Sequence, residues 1–125
     1  MPIKKHTDPS TDLTTFTCEG HITLKAVADA MRCLYDGIDG PTTRMVLWDL
    51  SKASTENLSV DELDDIAQLR LENKIPMTNG KTAVVAPNDL DFGMVRMFQA
   101  KTAGTPRYLM VFRTLEKAME WMKIE

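Results

Sequence analysis

The sequence predicts an α/β domain built on a mostly parallel sheet. Three observations carry that reading. Apolar, β-rich runs at residues 45–48, 82–86 and 108–112 are short, are bounded by turn residues, and read as buried strands. Between them lie segments whose apolar residues recur at helical spacing behind capping residues. The two kinds of segment alternate, and right-handed βαβ crossovers then lay successive strands parallel in one sheet.

Taken in order, residues 2–7 read as a short edge strand. Asp8-Pro9-Ser10-Thr11-Asp12 reads as a turn, because Pro presets φ while Asp and Ser bond nearby backbone. Residues 13–18 place Phe16 and Cys18 on one face and Thr15 and Thr17 on the other, so the first two strands form a hairpin with the first antiparallel at an edge. Gly20 is expected to break the second strand, and Thr23 to cap a helix carrying Leu24, Val27, Ala28, Met31, Leu34 and Tyr35 on one stripe. Gly37 suits a left-handed cap at its end, and residues 38–43, with Gly40 and Pro41, form a loop.

The central strand over 45–48 is expected to exit through Asp49-Leu50-Ser51 into a polar loop reaching Asn57. Ser59-Val60-Asp61-Glu62 is a capping box: the serine hydroxyl accepts from the Glu62 amide and the Glu62 carboxylate reaches back. Asp61, Glu62, Asp64 and Asp65 crowd the helix start, where the dipole favours anions. Val60, Leu63, Ile66, Ala67 and Leu71 form its apolar stripe. Pro76 and Asn79-Gly80 then punctuate the chain. The strand over 82–86 stops at Pro87-Asn88-Asp89, and a helix over 90–103 carries Leu90, Met94, Val95, Met97 and Phe98. Gly104-Thr105-Pro106 turns the chain into the strand over 108–112. Thr114 caps a final helix, the fourth, with Leu115, Ala118, Met119 and Met122 on one face.

Composition narrows the function classes. A length of 125 residues fits one domain, 1–125. A net charge of −3 argues against a surface built for nucleic acid or for stable association with anionic membrane. No apolar core follows Lys4 and Lys5, and no apolar run approaches bilayer length, so a cytoplasmic protein is expected. Cys18 and Cys33 lack metal-ligand or dithiol spacing and read as free thiols. His6 and His21 fall outside any His-x-x-x-His spacing, so neither metal nor cofactor is expected.

Two candidate sites stand out in the sequence. Gly80-Lys81-Thr82 imitates the end of a phosphate-binding loop, but Ile75 stands where the first glycine belongs and a strand follows where a helix is required. Neither a dinucleotide fingerprint nor a nucleophile elbow is present. Parallel sheets gather ligands at strand C-terminal ends. Those ends carry Asp49, Ser51, Asn88, Asp89, Asp91, Phe92 and Arg113, a set that suits a polar ligand or a cation. The simpler reading is that Asp89 and Thr114 cap helices while Asp49 orders a loop. The second candidate is the Met-rich third helix. Met94, Met97 and Phe98 spread apolar area over more than one stripe, as an adaptable partner surface or a homodimer face would.

The layout resembles the SpoIIAA-like or STAS domains, the sulfate transporter and anti-sigma factor antagonist family. Residues 45–51, with VLWDLS, look like their central strand and its exit. AVVAPNDLDFGMVRMF over 83–98 and VFRTLEKAMEWM over 111–122 are similar to runs of small bacterial members. Nearly the whole chain is covered. The resemblance implies a SpoIIAA-like fold and a non-enzymatic regulatory or scaffold module acting through a protein partner. Regulatory members carry Asp-Ser-Ser-Gly at the helix following the central strand, where a serine is phosphorylated by an anti-sigma kinase. Counting from Asp49 sets Ser59 opposite that serine, but Leu58 and Val60 flank it, so the motif is not kept and no phosphoserine switch is expected. Two rival readings stand beside this one: a small-molecule or lipid-binding domain, since the wider fold includes lipid carriers, and an enzyme using Asp49, Asp89 or His21.

Overall fold

The computed structural model describes residues 3–8, 10–11, 13–35, 45–72, 81–102 and 108–122. The expected turns at Gly37–Pro41, Pro76, Asn79-Gly80 and Gly104–Pro106 lie outside the described residues, as do the side chains of Cys33, Leu34, Tyr35 and Leu71.

The chain folds as β1 (Ile3–Asp8), β2 (Leu13–His21), α1 (Leu24–Tyr35), β3 (Met45–Ser54), α2 (Val60–Glu72), β4 (Lys81–Val85), α3 (Asp89–Lys101), β5 (Tyr108–Phe112) and α4 (Leu115–Met122). One five-stranded sheet has the order β1-β2-β3-β4-β5. The β1–β2 pair is antiparallel and the remaining pairs are parallel, as the alternation of strands and helices predicts. The turn of the hairpin is ordered locally, with Asp8 Oδ1 accepting from the Ser10 amide and hydroxyl at 3.0 and 2.7 Å. Those bonds, the hydroxyl's first, lower the Asp8 carboxyl below its ordinary range.

The helix starts follow the expected capping chemistry. Thr23 Oγ1 accepts from Ala26 N at 3.2 Å, and Thr114 Oγ1 from Lys117 N at 3.2 Å. The Ser59 box is closed in both directions, Glu62 N to Ser59 Oγ and Ser59 N to Glu62 Oε1, each 3.1 Å. Asn88, not Asp89, caps α3: its side-chain oxygen accepts from Asp91 N at 2.8 Å. Asp89 is therefore the first helical residue, free to pair elsewhere.

Two strands run longer than their apolar cores predict. Gly20 does not end β2; with φ +73° it turns the backbone within the strand, next to a register shift between Thr17 and Glu19. Pairing then resumes as Glu19↔Lys52, Gly20↔Ala53 and His21↔Ser54, which draws β3 out to Ser54. Asp49 and Ser51 thus lie inside β3, not at its exit.

Strand alternation divides the interior into two clusters. On one face Cys18, Leu50, Val84, Leu109 and Val111 pack with Val95 of α3 and Val27 of α1. On the other, Leu47, Ala83 and Val85 pack with Ala118 and Met122 of α4. Helices α1, α2 and α3 contact one another in sequence, and α4 lies against β4 and β5. Among the described residues no helix is long and apolar enough to cross a membrane.

Candidate functional site

The polar residues gathered at the strand ends divide into three separate groups. Asp49 lies on the α4 side of the sheet, opposite Thr17 on one neighbour and Val85 on the other. Its Oδ1 accepts from the Ser51 amide at 3.0 Å and the Ser51 hydroxyl at 2.6 Å, a closed local turn.

The second group is a buried clasp. Asp91 is wholly inaccessible to solvent. Its Oδ1 accepts from Thr55 N at 2.8 Å and Thr55 Oγ1 at 2.6 Å, and its Oδ2 from Asn88 Nδ2 at 2.6 Å. A buried carboxylate is costly unless donors surround it, and here three do. The helix start supplies further favourable field. The clasp ties the residue leaving β3 to the residue entering α3, and its hydrogen bonds occupy both carboxylate oxygens.

The third group is superficial. Arg113 Nη1 donates to Asp89 Oδ1 at 2.6 Å and to Pro87 O at 3.2 Å, and its guanidinium lies 4.0 Å from the centre of the Phe92 ring. Both charged partners are exposed, so this grouping orders the β5 exit more than it stabilises the fold. The seven residues that sequence places at strand ends are all found, but they do not converge on one cleft. Among the described residues no cluster of three or more His, Cys, Asp or Glu side chains has the geometry to hold a metal ion.

Helix α3 divides the third-helix candidates between two sides. Asp91 and Val95 are buried, and Met94 and Phe98, half-buried, turn toward the sheet. Met97 faces outward at 39% exposure, with Leu90 at 53% seven residues before it and the exposed Gly93 between them. Met94 and Phe98 therefore line the interior, and the outward apolar stripe is Leu90–Gly93–Met97.

What Met94 and Phe98 line is an apolar cavity of about 110 Å³ between the sheet and α1, α2 and α3. Its floor is Val46, Trp48, Thr82 and Val84, and Met31 and Leu63 close it from the helices. Cys18 stands in its wall, its thiol directed at Phe16 O at 3.9 Å. Burial first, and the Asp49 charge second, push this thiol up to about 12, so it stays protonated and unreactive. Sequence reasoning did not find this cavity. The available signal was the spacing of Asp91, Val95 and Phe98, which marks the inner side of α3 and leaves Met94 beside it.

With the geometry in view, solved structures supply the comparison. An uncharacterised protein of the DUF3478 family from Shewanella loihica, described as having a SpoIIAA-like fold, superposes with a TM-score of 0.59 at 18% identity, covering 95% of this chain and 90% of its own. The anti-sigma factor antagonist SpoIIAA in its unphosphorylated form gives 0.55 at 13% identity, covering 97% of each chain. The fold is SpoIIAA-like. The phosphorylated form of the Bacillus cell fate determinant SpoIIAA gives 0.55 at 15% identity, covering 96% of this chain and 98% of that one. No family model and no curated protein matches the chain. At these identities the likeness shows the SpoIIAA-like architecture alone.

Proposed function

We propose that this chain is a STAS-type regulatory or scaffold module of the cytoplasm, acting by protein contact, without catalysis and without a phosphoserine switch. The observation that carries the reading is the outer side of α3. Leu90 and Met97 stand exposed on either side of Gly93, an apolar stripe flanked by the exposed charges of Asp89 and Arg96. Exposed apolar area of this kind is suited to a partner, and methionine adapts its shape to one.

Two further features support it. The Ser59 hydroxyl accepts the Glu62 amide in a closed capping box, in a turn that already carries Asp61 and Glu62. A phosphate there would add like charge to an acidic helix start. At the strand ends, Asp49 is engaged by Ser51, Asp91 by Thr55 and Asn88, and Asp89 by Arg113, which favours structural roles over acid–base work.

The double substitution Leu90→Glu with Met97→Glu tests the reading. Both side chains are exposed, so the variant should fold, as circular dichroism would verify. Light scattering and affinity capture from native lysate are then compared with wild type. The expected result is loss of a dimer or of a specific captured protein. Identical mass and identical capture by both proteins would refute contact through α3.

A further inference from the structure

We infer that the cavity beneath α1, α2 and α3 is a binding site for a small uncharged apolar molecule, with a single aromatic ring as the class that fits it. The inference is independent of the protein-contact reading, because the α3 residues lining the cavity are Met94, Val95 and Phe98, and neither Leu90 nor Met97 is among them.

Size is the first argument. Protein interiors are close-packed and hold few voids larger than a water molecule. Here a recess of about 110 Å³, partly open to solvent, runs in between the helices and the sheet. An engineered apolar cavity of roughly 150 Å³ stays dry and takes up benzene. The volume here is of that order, which suits a single ring.

Chemistry is the second. The walls are almost wholly hydrocarbon and thioether, with Trp48 and Phe98 offering aromatic faces. The polar groups at the wall are engaged. Thr55 gives its hydroxyl proton to Asp91, and Cys18 directs its thiol at Phe16 O. No charged side chain lines the space among the described residues. An ion entering it would lose its hydration and meet no counter-charge, so the site selects neutral molecules.

Access is the third. Trp48 lies in the middle of the central strand, on the face that three helices cover, stacked on the buried Phe16 ring at 4.3 Å. A side chain so placed would be sealed by a continuous helix layer, yet Trp48 is only half-buried. Leu58, Met94 and Phe98, which also line the space, are half-buried too. Solvent, and therefore a ligand, reaches the cavity between these residues. Met31 and Met94 can adjust around a guest without moving backbone.

Titration of the full chain, labelled with ¹³C at its methionine methyl groups, with benzene tests the site. Met31 and Met94 line the cavity; Met97 and Met110 are on the surface, and Met122 is on the far side of the sheet. The expected result is a saturable shift confined to Met31 and Met94, with benzoate binding at least tenfold more weakly. Val46→Leu, which fills the floor, should weaken benzene binding at least tenfold. If that variant misfolds, Val84→Ile provides the same test more gently. The Leu90→Glu, Met97→Glu variant should bind benzene as wild type does, which separates this site from the partner surface. Absence of a saturable shift at Met31 and Met94, equal shifts at Met97 and Met110, or benzoate binding as tightly as benzene would each overturn the assignment.

Discussion

On one side of the sheet, among the described residues, α4 packs against the central strands with two wholly buried alanines, Ala83 and Ala118, and a buried Met122. On the other side α1, α2 and α3 together cover the strands and leave about 110 Å³ unfilled. Among the described residues, small wholly buried side chains meet on the one-helix side, whereas the three-helix side holds the recess. Alanine on both strand and helix lets α4 approach closely, and one long thioether occupies what remains. At the far end of α4, Trp121 leans on Phe112 at 5.5 Å while Lys81 donates to Trp121 O at 3.2 Å, so the helix is held at its end as well. On the three-helix side the floor residues Val46, Val84 and Thr82 are also short, but the helices above them are spaced by their contacts with one another. Cover is therefore not the same as packing, and the contrast can be tested.

The largest expected effect compares two buried methionines. Met122→Ala should cost about 4 kcal/mol, because it opens a hole in a filled region. Met31→Ala should cost nearer 2 kcal/mol, because one side of Met31 already faces the cavity and lacks contact partners. Urea denaturation of both variants measures the difference, and equal costs would break the contrast between the two sides.

Next comes the clasp at the edge of the cavity. Asp91→Ala leaves the Thr55 amide and hydroxyl and the Asn88 amide without their acceptor, at a cost of about 2–3 kcal/mol. Amide exchange at Thr55 should accelerate with it. Unchanged exchange would show that the helix layer does not depend on this tie.

A smaller effect is expected at the exposed start of α2. Ser59→Ala should cost about 1 kcal/mol and Ser59→Asp close to nothing, since Asp caps as well and suits the positive end of the helix dipole. Thermal melts of the two variants decide it. A large loss with Asp would mean that the hydroxyl does more than cap.

The last effect vanishes at neutral pH and is read only in alkali. The Cys18 thiol is raised from 9.0 to about 12 in the folded chain. The unfolded chain therefore gives up this proton first, and stability falls as pH rises from about 9 towards 12. Below pH 9 the thiol is protonated in both states and contributes no slope. Cys18→Ala should show a shallower alkaline loss than wild type in denaturation series across that range. Identical slopes would mean that water fills the cavity beside the thiol.

Much of this fold is legible in the sequence because it rests on local rules. Thr23, Ser59 and Thr114 cap the helices they precede, and the alternation of Phe16 and Cys18 with Thr15 and Thr17 sets the faces of β2. What escapes such reading depends on partners far away in the chain. The reach of β3 to Ser54 is set by β2 continuing through Gly20, and the residues beyond Trp48 carry little β signal of their own. The strand-end carboxylates look like one site because a parallel topology gathers strand ends. Asp49 nevertheless faces α4 while Asp91 turns under α3, a distinction that needs the register. The cavity leaves no periodic trace, because it arises from the spacing between helices. The two sides of α3 were within reach: Leu90, Gly93 and Met97 fall on one stripe, and Asp91, Met94, Val95 and Phe98 on the other.

The sheet order β1-β2-β3-β4-β5 has a consequence for how the molecule is assembled. Each strand lies beside the one that precedes it in the chain, so no strand has to be threaded between two already in place. A chain emerging from the ribosome offers the β1–β2 hairpin first, and β3, β4 and β5 then find a finished edge waiting in turn. Each addition closes a single crossover, which keeps the entropic cost of every step low for a parallel sheet. Growth of this kind adds every strand at the same edge, while β1 holds the other edge throughout. That narrows the opportunity for mispairing during synthesis, when open strand edges are most exposed to other chains. The final step brings β5 beside β4, and Arg113 then reaches Asp89 and Pro87 as the growing edge is completed.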